Sequence, residues 1–429
     1  MVDNKDKISR RDFIATGLAV ATTAISGFPF VQTTRAQSVK PLKIGVIGCG
    51  GRGTGAIENA ITAAPDIHLV ALADPFPDRI ETCLKELKGP KRKGGPLPNI
   101  EVKEDHIFTG FNCYKKLLET DIDYVILTEP PGFRPRSFEA AVEAGKHIFM
   151  EKPVATDPVG VRKILETAKK AKEKGLSVVV GFNFRHNVGT REIVKRIHNG
   201  DIGEVVSARS YFNTGTLWHR GEDPSWTEME YQCRNWYYFC WLSGDHIVEQ
   251  HIHYIDMTNW VLNSYPIRAM GLGGRQVRTE SKYGNIYDHF TIDYEYPNNV
   301  HVMAMSRQMA KCDNLVGCFA HGTIGYSGVN ENEIFGKNAY KYAEKFVDAQ
   351  VYEHTELIES IRKGEPINEA EFGAYSTLTA IMGRESAYTG KVVTWEEMLN
   401  SNLDLFPKKI EPGPAPKSGV PMPGQPRPL

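Results

Sequence analysis

The sequence predicts an α/β protein, with an N-terminal doubly wound parallel sheet followed by an α+β domain built on a large, mostly antiparallel sheet. Three observations predict it. Short apolar runs alternate with helix-period segments from Leu42 to Arg185, and a glycine-rich turn, GCGGRG, closes the first of those runs. Beyond Arg185 the runs lengthen, often alternate polar with apolar positions, and are separated by turn residues. Runs buried on both faces and spaced by helices belong to parallel sheets, whereas alternation with short connections belongs to antiparallel ones.

In chain order, LKIGVIG (42–48), IHLVALAD (67–74), DYVILTEPP (123–131), KHIFMEKP (146–153) and LSVVVGFNFR (176–185) read as buried strands. Segments such as RSFEAAVEAG and VRKILETAKKAKEKG carry the helical period between them, and together these define a first domain over 41–185. A second domain over 186–400 follows, with VVSARSYFN, IRAMGLGGRQVR, HFTIDYEYP, NVHVMAMSRQM and FAHGTIGYS as strands. It also holds an aromatic-rich stretch at 234–262 and a helical pattern from about 349 to 400. The tail, 401–429, ends in PGPAPKSGVPMPGQPRPL, too rich in Pro and Gly to build a core, and is expected to be loose or to wrap the surface. There is no internal repeat and no coiled coil.

With 429 residues, of which 41% are hydrophobic, the chain can bury a core of two-domain size. A net charge of -1 gives no electrostatic footprint for nucleic acid. Seven cysteines, an odd number at scattered spacings without CxxC pairs, read as mostly buried thiols. The N-terminus, SRRDFIATGLAVATTAISGF, pairs Arg10 with Arg11 ahead of an apolar stretch interrupted by Thr, Ser and Gly. It reads as a twin-arginine export signal over 1–36, cut near Thr34-Arg35-Ala36, which makes the protein periplasmic or otherwise exported. The alternative is an uncleaved signal anchor, but the stretch falls short of the roughly 20 apolar residues of a membrane span, and no permanent span is expected.

Gly48-Cys49-Gly50-Gly51-Arg52-Gly53 satisfies GxGxxG, with a strand before it, a helical GTGAIENAITA after it, and Asp74 ending the second strand. That context is the dinucleotide fingerprint of a Rossmann domain: the glycines let backbone N–H groups approach a pyrophosphate, and the acid accepts hydrogen bonds from ribose hydroxyls. A carboxylate there repels a 2′-phosphate, so NAD is the expected cofactor.

The combination of KIGVIGCGGRG, the EKPVAT segment beginning at Glu151 and a C-terminal mixed sheet resembles the Gfo/Idh/MocA family of sugar-related oxidoreductases over nearly the whole mature chain. The resemblance implies that Lys152 sits beside nicotinamide and substrate, frequently with a cis Lys-Pro bond, and that the second-domain sheet serves substrate binding and oligomerisation. Gly48, Gly50, Gly51, Arg52, Gly53, Asp74, Thr128, Pro131, Glu151 and Lys152 are then the expected cofactor residues. Family members often carry an Asp-x-x-x-His pair early in the second domain. Here Glu249 and His253 match it, with glutamate in place of aspartate. One helical turn apart, they share a face, so the carboxylate orients the imidazole or both reach one substrate. Lys152, His253 and Glu249 are the expected catalytic set, with either Lys152 or His253 as the base. A second departure is Thr128-Glu129-Pro130-Pro131-Gly132-Phe133-Arg134, which lacks the histidine that many exported relatives carry near TPPHWH.

His246, Glu249 and His253 fall at i, i+3 and i+7, with His251 nearby, but HIVEQH matches neither HxxEH nor HExxH. No metal is expected. Arg234, Trp236 and Tyr237, upstream of the histidines, have the aromatic and hydrogen-bonding character that suits sugars, and Arg185 and His186 stand at a strand end where this fold places ligand groups. All five are expected substrate residues. The expected activity is NAD-dependent oxidation of a hydroxyl on a sugar, glycoside or cyclitol, with tightly bound NAD, by a homo-oligomer. The alternatives are an NAD-retaining glycoside hydrolase, lyase or epimerase that oxidises its sugar transiently, and a noncatalytic sugar-binding protein.

Overall fold

The computed structural model describes residues 40–428 apart from 91–94, 344–346 and 418. The expected twin-arginine signal lies outside the described residues.

The first sheet is built from β1 (Leu42–Ile47), β2 (Ile67–Ala73), β3 (Ile107–Phe108), β4 (Tyr124–Leu127), β5 (His147–Met150) and β6 (Val178–Val180). All its pairings are parallel, in the order β3-β2-β1-β4-β5-β6. Helices α1 (Gly51–Ala63), α2 (Pro77–Lys88), α3 (Cys113–Leu118), α4 (Arg134–Glu143) and α5 (Pro158–Glu173) connect or cover these strands. β4 and β6 are wholly buried, as strands covered on both faces must be. Two expected strands stop early. β4 ends at Leu127, which frees Thr128–Pro130 as a loop ahead of a 3-10 turn over Pro131–Phe133, and β6 gives way to a 3-10 turn over Asn183–His186. The order reverses between β1 and β4, and the crevice at their carboxyl ends is where this topology binds ligands.

Beyond the first sheet come α6 (Val188–His198), β7 (Val205–Thr214), α7 (Glu228–Arg234), the short α8 (Cys240–Ser243) and α9 (Ile252–Leu262). The second sheet continues through β8 (Arg268–Gly274), β9 (His289–Tyr296), β10 (Val300–Gln308), β11 (Leu315–Gly322), β12 (Gly325–Gly328), β13 (Glu333–Gly336) and β14 (Tyr340–Lys341). After α10 (Ala349–Lys363) and α11 (Ala370–Thr389), β15 (Val393–Thr394) and α12 (Trp395–Leu399) complete the elements. The order is β14-β13-β12-β11-β7-β10-β9-β8-β15, antiparallel except for the β7–β10 pair. The segment FAHGTIGYS is a hairpin rather than one strand, because Gly322 to Gly325 turns β11 back into β12. β9 alternates half-buried and buried positions along its whole length, so one face is sealed and the other open.

The described residues from Pro41 onward form one compact unit, and the reason lies in α10 and α11. Leu357 and Ile358 of α10 join the apolar core of the first sheet together with Ile57, Leu69 and Phe149. The backbone at 367–369 brackets Val178 at the edge of β6: Val178 N–H donates to Ile367 O at 2.8 Å and Glu369 N–H to Val178 O at 3.0 Å. The helical region expected inside the second domain therefore covers the first. Helix α11 is buried on almost every side, and its Leu378, Ile381 and Met382 share a core with Met150 and Val180 of one sheet and Ile292 and Val302 of the other. Side chains of this kind contribute about 1.5–3 kcal/mol each on full burial.

Of the two expectations for the tail, the structure has the wrapping one. Proline lacks an N–H, so such a segment docks mainly through its carbonyls. Met229 N–H donates to Gly413 O at 2.9 Å, Gln232 Nε2 to Pro416 O at 3.0 Å and Tyr287 Oη to Pro421 O at 2.8 Å. Leu405, Phe406 and Ile410 also pack on the Met229–Trp241 core, so the tail contributes apolar contacts as well. Six of the seven cysteines are buried thiols, and Cys312 is exposed.

Candidate active site

Two cavities meet at the carboxyl ends of the first sheet. The larger, about 290 Å³, is lined by Gly48, Gly50, Gly51 and Asp74 among others. Gly48 has φ +95°, and a Cβ there would stand 2.5 Å from Glu129 N, while one on Gly53 would stand 2.0 Å from Gly48 O. The turn has no room for side chains at either point. Gly50 caps α1 without any side-chain hydrogen bond, and the spaces above Gly50 and Gly51 are open. The first-turn N–H groups of a 13-residue helix thus face the cavity uncapped, which suits a pyrophosphate. Asp74 accepts from Cys49 N at 2.8 Å and Phe76 N at 2.9 Å, so the carboxylate expected to meet ribose also ties down the glycine turn. Burial raises its pKa, against those two N–H groups.

The second cavity, about 220 Å³, is lined by Lys152, Glu249 and His253, with Asn183, Gln350 and Glu353. Arg52, Thr128, Glu129 and Trp236 line both cavities and form the wall between them. Lys152 follows β5, and its bond to Pro153 is cis. Its Nζ donates to Glu249 Oε1 at 3.0 Å and to Glu249 O at 2.6 Å. Glu249 lies in a π-helical turn, Ile247–His251, that leads into α9. Such turns re-aim side chains relative to an α-helix. The carboxylate therefore meets Lys152, and the expected Glu249–His253 orienting pair is replaced by a Lys152–Glu249 pair. His253 Nδ1 is buried without a hydrogen-bond partner, and the edges of Phe182 and Phe184 enclose the ring at centroid distances of 6.1 and 5.9 Å. Burial, then the charges of Lys152 and Arg52, hold its pKa well below that of an ordinary histidine, so the ring is neutral at pH 7. Burial raises Glu249, opposed by Lys152.

Arg52 donates Nε to Glu151, Nη1 to Asn59 at 3.0 Å and Nη2 to Glu353 at 3.1 Å, linking the glycine turn to the EKP segment and α10. The cofactor set therefore comes together around the two cavities, with Pro131 and Glu151 in the wall of the second. Of the expected substrate residues, only Trp236 lines the second cavity. Arg234 faces the first, held by Asp78 at 2.8 and 2.9 Å and lying over Phe76. Tyr237 is core, its hydroxyl accepting from Gln308 Nε2 at 2.7 Å. Arg185 forms a two-point pair with Asp256 at 2.8 and 2.9 Å, and His186 is sealed between Glu356 at 2.5 Å and Glu369 at 3.4 Å. Neither lines these cavities; both are held by partners of opposite sign.

His246 is engaged by Asp245 at 3.0 Å and Ser306 at 3.1 Å, and His251 by Ser210 at 2.7 Å. Among the described residues, no group of three or more His, Cys, Asp or Glu side chains is arranged to hold a metal.

Sequence reasoning missed Glu129, Arg134, Asn183, Gln350 and Glu353. A glutamate at the end of an apolar strand was the one available signal for Glu129. Gln350 and Glu353 arrive on a helix some 200 residues further along and carry no local mark.

Uncapped helix amides beside an acid at the second strand's end suit a dinucleotide, and a lysine, a glutamate and a neutral histidine stand one wall away. This is the arrangement of a nicotinamide-dependent oxidoreductase. Comparison with known proteins agrees: the sequence model described as "Oxidoreductase family, NAD-binding Rossmann fold" matches residues 42–182, and that of the GFO/IDH/MocA C-terminal domain matches 190–327. The chain belongs to the Gfo/Idh/MocA family, and its cofactor is NAD.

Among its relatives, myo-inositol 2-dehydrogenase of Thermotoga maritima is 22% identical over 371 residues, 83% of this chain and 100% of that one. The dTDP-3,4-didehydro-2,6-dideoxy-alpha-D-glucose 3-reductase of Actinomadura kijaniata is 27% identical over 41% of this chain and 46% of its own length. The crystal structure of aldose-aldose oxidoreductase from Caulobacter crescentus complexed with glycerol superposes with a TM-score of 0.64 at 18% identity, covering 83% of this chain and all of that one. At that identity the likeness establishes the fold.

Proposed function

We propose that the protein oxidises a secondary hydroxyl of a sugar, glycoside or cyclitol and retains its NAD through a redox-balanced cycle. The observation that carries this reading is the shared wall: Lys152, Glu249 and His253 lie in one cavity, separated from the glycine-turn cavity only by Arg52, Thr128, Glu129 and Trp236. The relatives that act on inositol and on a deoxysugar support the substrate class.

NAD, when bound, supplies the hydride acceptor. The protein's residues handle the proton and the developing oxyanion. Lys152 spends two N–H donors on Glu249, which leaves one for the substrate oxygen. Paired with Glu249, Lys152 is placed to stabilise the developing negative charge, and His253, whose Nδ1 has no hydrogen-bond partner, is assigned as the base. Trp236 offers an apolar edge against which a pyranose or cyclitol ring packs.

Retention of the cofactor rests on the N-terminal sequence. The paired arginines mark export of a folded protein, and outside the cytoplasm a freely exchanging cofactor would be lost or stranded in its reduced form. Either two sugars are oxidised and reduced in turn, or one is oxidised, cleaved or inverted, and reduced again. A fold neighbour named as an aldose-aldose oxidoreductase supports the two-sugar version.

We further propose a homo-oligomer joined through the open face of the second sheet, where Met270, Leu272, Met303, Leu315 and Tyr326 are exposed. The test of the central reading is stopped-flow absorbance on protein purified without added NAD. Reduced nicotinamide is expected to rise and fall within a turnover, and Asp74→Ala to weaken cofactor retention. Cofactor loss on dialysis with steady NADH release from added NAD would establish an ordinary dehydrogenase instead.

A further inference from the structure

Four arginines line the glycine-turn cavity, and two of them have no acid of their own. Arg52 is spent on Glu151 and Glu353, and Arg234 on Asp78 and Glu230. Arg79 of α2 and Arg220 of the second domain form no ion pair and no side-chain hydrogen bond among the described residues. Burial, and after it the charge of Arg220, lowers the pKa of Arg79, so the two guanidiniums stand close enough to repel. Asp78, next in sequence to Arg79, pulls the other way, but Arg234 already holds it at 2.8 and 2.9 Å. Two cations that face one cavity without a counter-ion mark a place for an anion.

Arg220 is exposed, yet the loop that carries it is built. Residues 215–223 connect β7 to α7 without regular secondary structure. Tyr238 Oη donates to Leu217 O at 3.3 Å and to Trp218 O at 2.7 Å, Arg220 N–H donates to Asn235 Oδ1 at 2.8 Å, and Asn235 Nδ2 donates to Gly221 O at 3.1 Å. Asn235 and Tyr238 are both buried, so the loop is held from beneath. Trp218 and Arg220 line the cavity, with the guanidinium 4.6 Å from the indole centroid and the indole 5.9 Å from Trp236 of the wall shared with the Lys152 cavity. The loop thus runs along the cavity from that wall towards Arg79, whose charge is felt by Asp74.

We propose that this loop is a cofactor clasp: Arg220 and Arg79, one from each domain, pair with the diphosphate of bound NAD, and Trp218 covers it, so that the cofactor leaves only when the loop releases it. The proposal rests on the reading of the protein as an NAD enzyme that keeps its cofactor. The diphosphate carries a negative charge on each phosphate. The uncapped amides of α1 meet it with partial charge, whereas a guanidinium adds a full charge and a two-point fork. An anion held between arginines of different domains also ends their repulsion, which ties the two domains together over the cofactor.

The test is the rate at which NADH leaves protein that has been freed of its own nucleotide, reloaded with NADH and chased with excess NAD+, followed by stopped-flow fluorescence. Arg220→Ala is expected to raise that rate about 10- to 100-fold, the scale of one charge-assisted contact, and Arg220→Lys to raise it less, since lysine keeps the charge and loses the fork. Arg79→Ala and Trp218→Ala should raise it as well. In the wild type the rate should climb with ionic strength, and in Arg220→Ala it should climb less steeply, which a loss of loop packing alone would not produce. Unchanged NADH dissociation in Arg220→Ala overturns the proposal, and so does a salt dependence equal to that of the wild type, which would make the loop a structural cover. An effect seen with NADPH and not with NADH would overturn it too and assign the pair to a 2′-phosphate. Should Trp218→Ala fail to fold, the two arginine variants decide, since neither side chain holds a hydrogen bond among the described residues. If the wild type gives up NAD freely on dialysis, the retained-cofactor reading fails, while the ratio of the Arg220→Ala rate to the wild-type rate still tests the clasp.

Discussion

Lys152 Nζ lies 3.0 Å from Glu249 Oε1 and 2.6 Å from the backbone oxygen of the same residue, so the EKP lysine of one sheet is anchored to a π-helical turn that introduces the other. With both side chains about one-tenth exposed, neither charge is tolerable alone, and the pair fixes the lysine's remaining donor in the cavity. Lys152→Ala is therefore expected to slow turnover by about 10²- to 10³-fold, the scale of losing one oxyanion donor. NAD content and the far-ultraviolet circular dichroism spectrum should stay as in the wild type. Full activity in this variant would remove the lysine from the mechanism.

His253 should leave its signature in the pH profile. Its pKa lies well below the ordinary 6.5, so the neutral ring persists on acidification and the acid limb of kcat/KM is expected below pH 6.5. Removing the Lys152 charge relieves part of that depression. The limb should then move to higher pH in the residual activity of Lys152→Ala. His253→Ala should lose about 10²- to 10⁴-fold in kcat.

His186 belongs to stability rather than to substrate. Against burial, its contacts with Glu356 and Glu369 hold its pKa up at about 9 from an ordinary 6.5. Glu356, also against burial, is brought down to about 2 from 4.5 by Arg191 and His186. The histidine contribution is complete below about pH 6.5 and lost as pH rises through about 9. The glutamate contribution is present above about pH 4.5 and lost as pH falls through about 2. Urea unfolding should show the midpoint falling between those upper limits. His186→Gln should flatten that fall and cost up to about 3 kcal/mol, with KM unchanged.

Phe406 of the tail meets Phe133 at 5.3 Å and Trp241 at 5.7 Å, and Phe133 is part of the glycine-turn cavity wall. Phe406→Ala is expected to weaken NAD binding several-fold, in line with about 0.5–1.5 kcal/mol for aromatic pairs. Fluorescence titration with NADH, on protein first freed of its bound nucleotide, measures this, and unchanged affinity would confine the tail to a structural role.

Leu272 is 68% exposed on β8, and Met303 lies on the same open sheet face. Light scattering should find more than one chain per particle, and Leu272→Lys combined with Met303→Lys should dissociate it. A monomer at all concentrations would remove the oligomer.

The parallel sheet, the glycine turn, Asp74 and Lys152 were legible along the chain because each rests on local physics. Burial on both faces writes continuous apolar runs, a phosphate-binding turn excludes Cβ atoms, and the EKP segment is contiguous with its strand. The cavity walls were not legible in the same way. Periodicity gives α10 an apolar stripe without saying that the stripe covers the first sheet, so the arrival of Glu353 beside Arg52 was settled only when 301 positions of chain folded back. The same holds for partners. Glu249 and His253 are spaced as a pair on any α-helical reading, yet a π-turn gives the carboxylate to Lys152 and leaves the imidazole bare. Arg185 and His186 look like ligand groups at a strand end until Asp256 and Glu356 take them. A charged side chain in a low-dielectric interior goes to the nearest opposite charge, and which charge is nearest is a property of tertiary packing rather than of sequence distance.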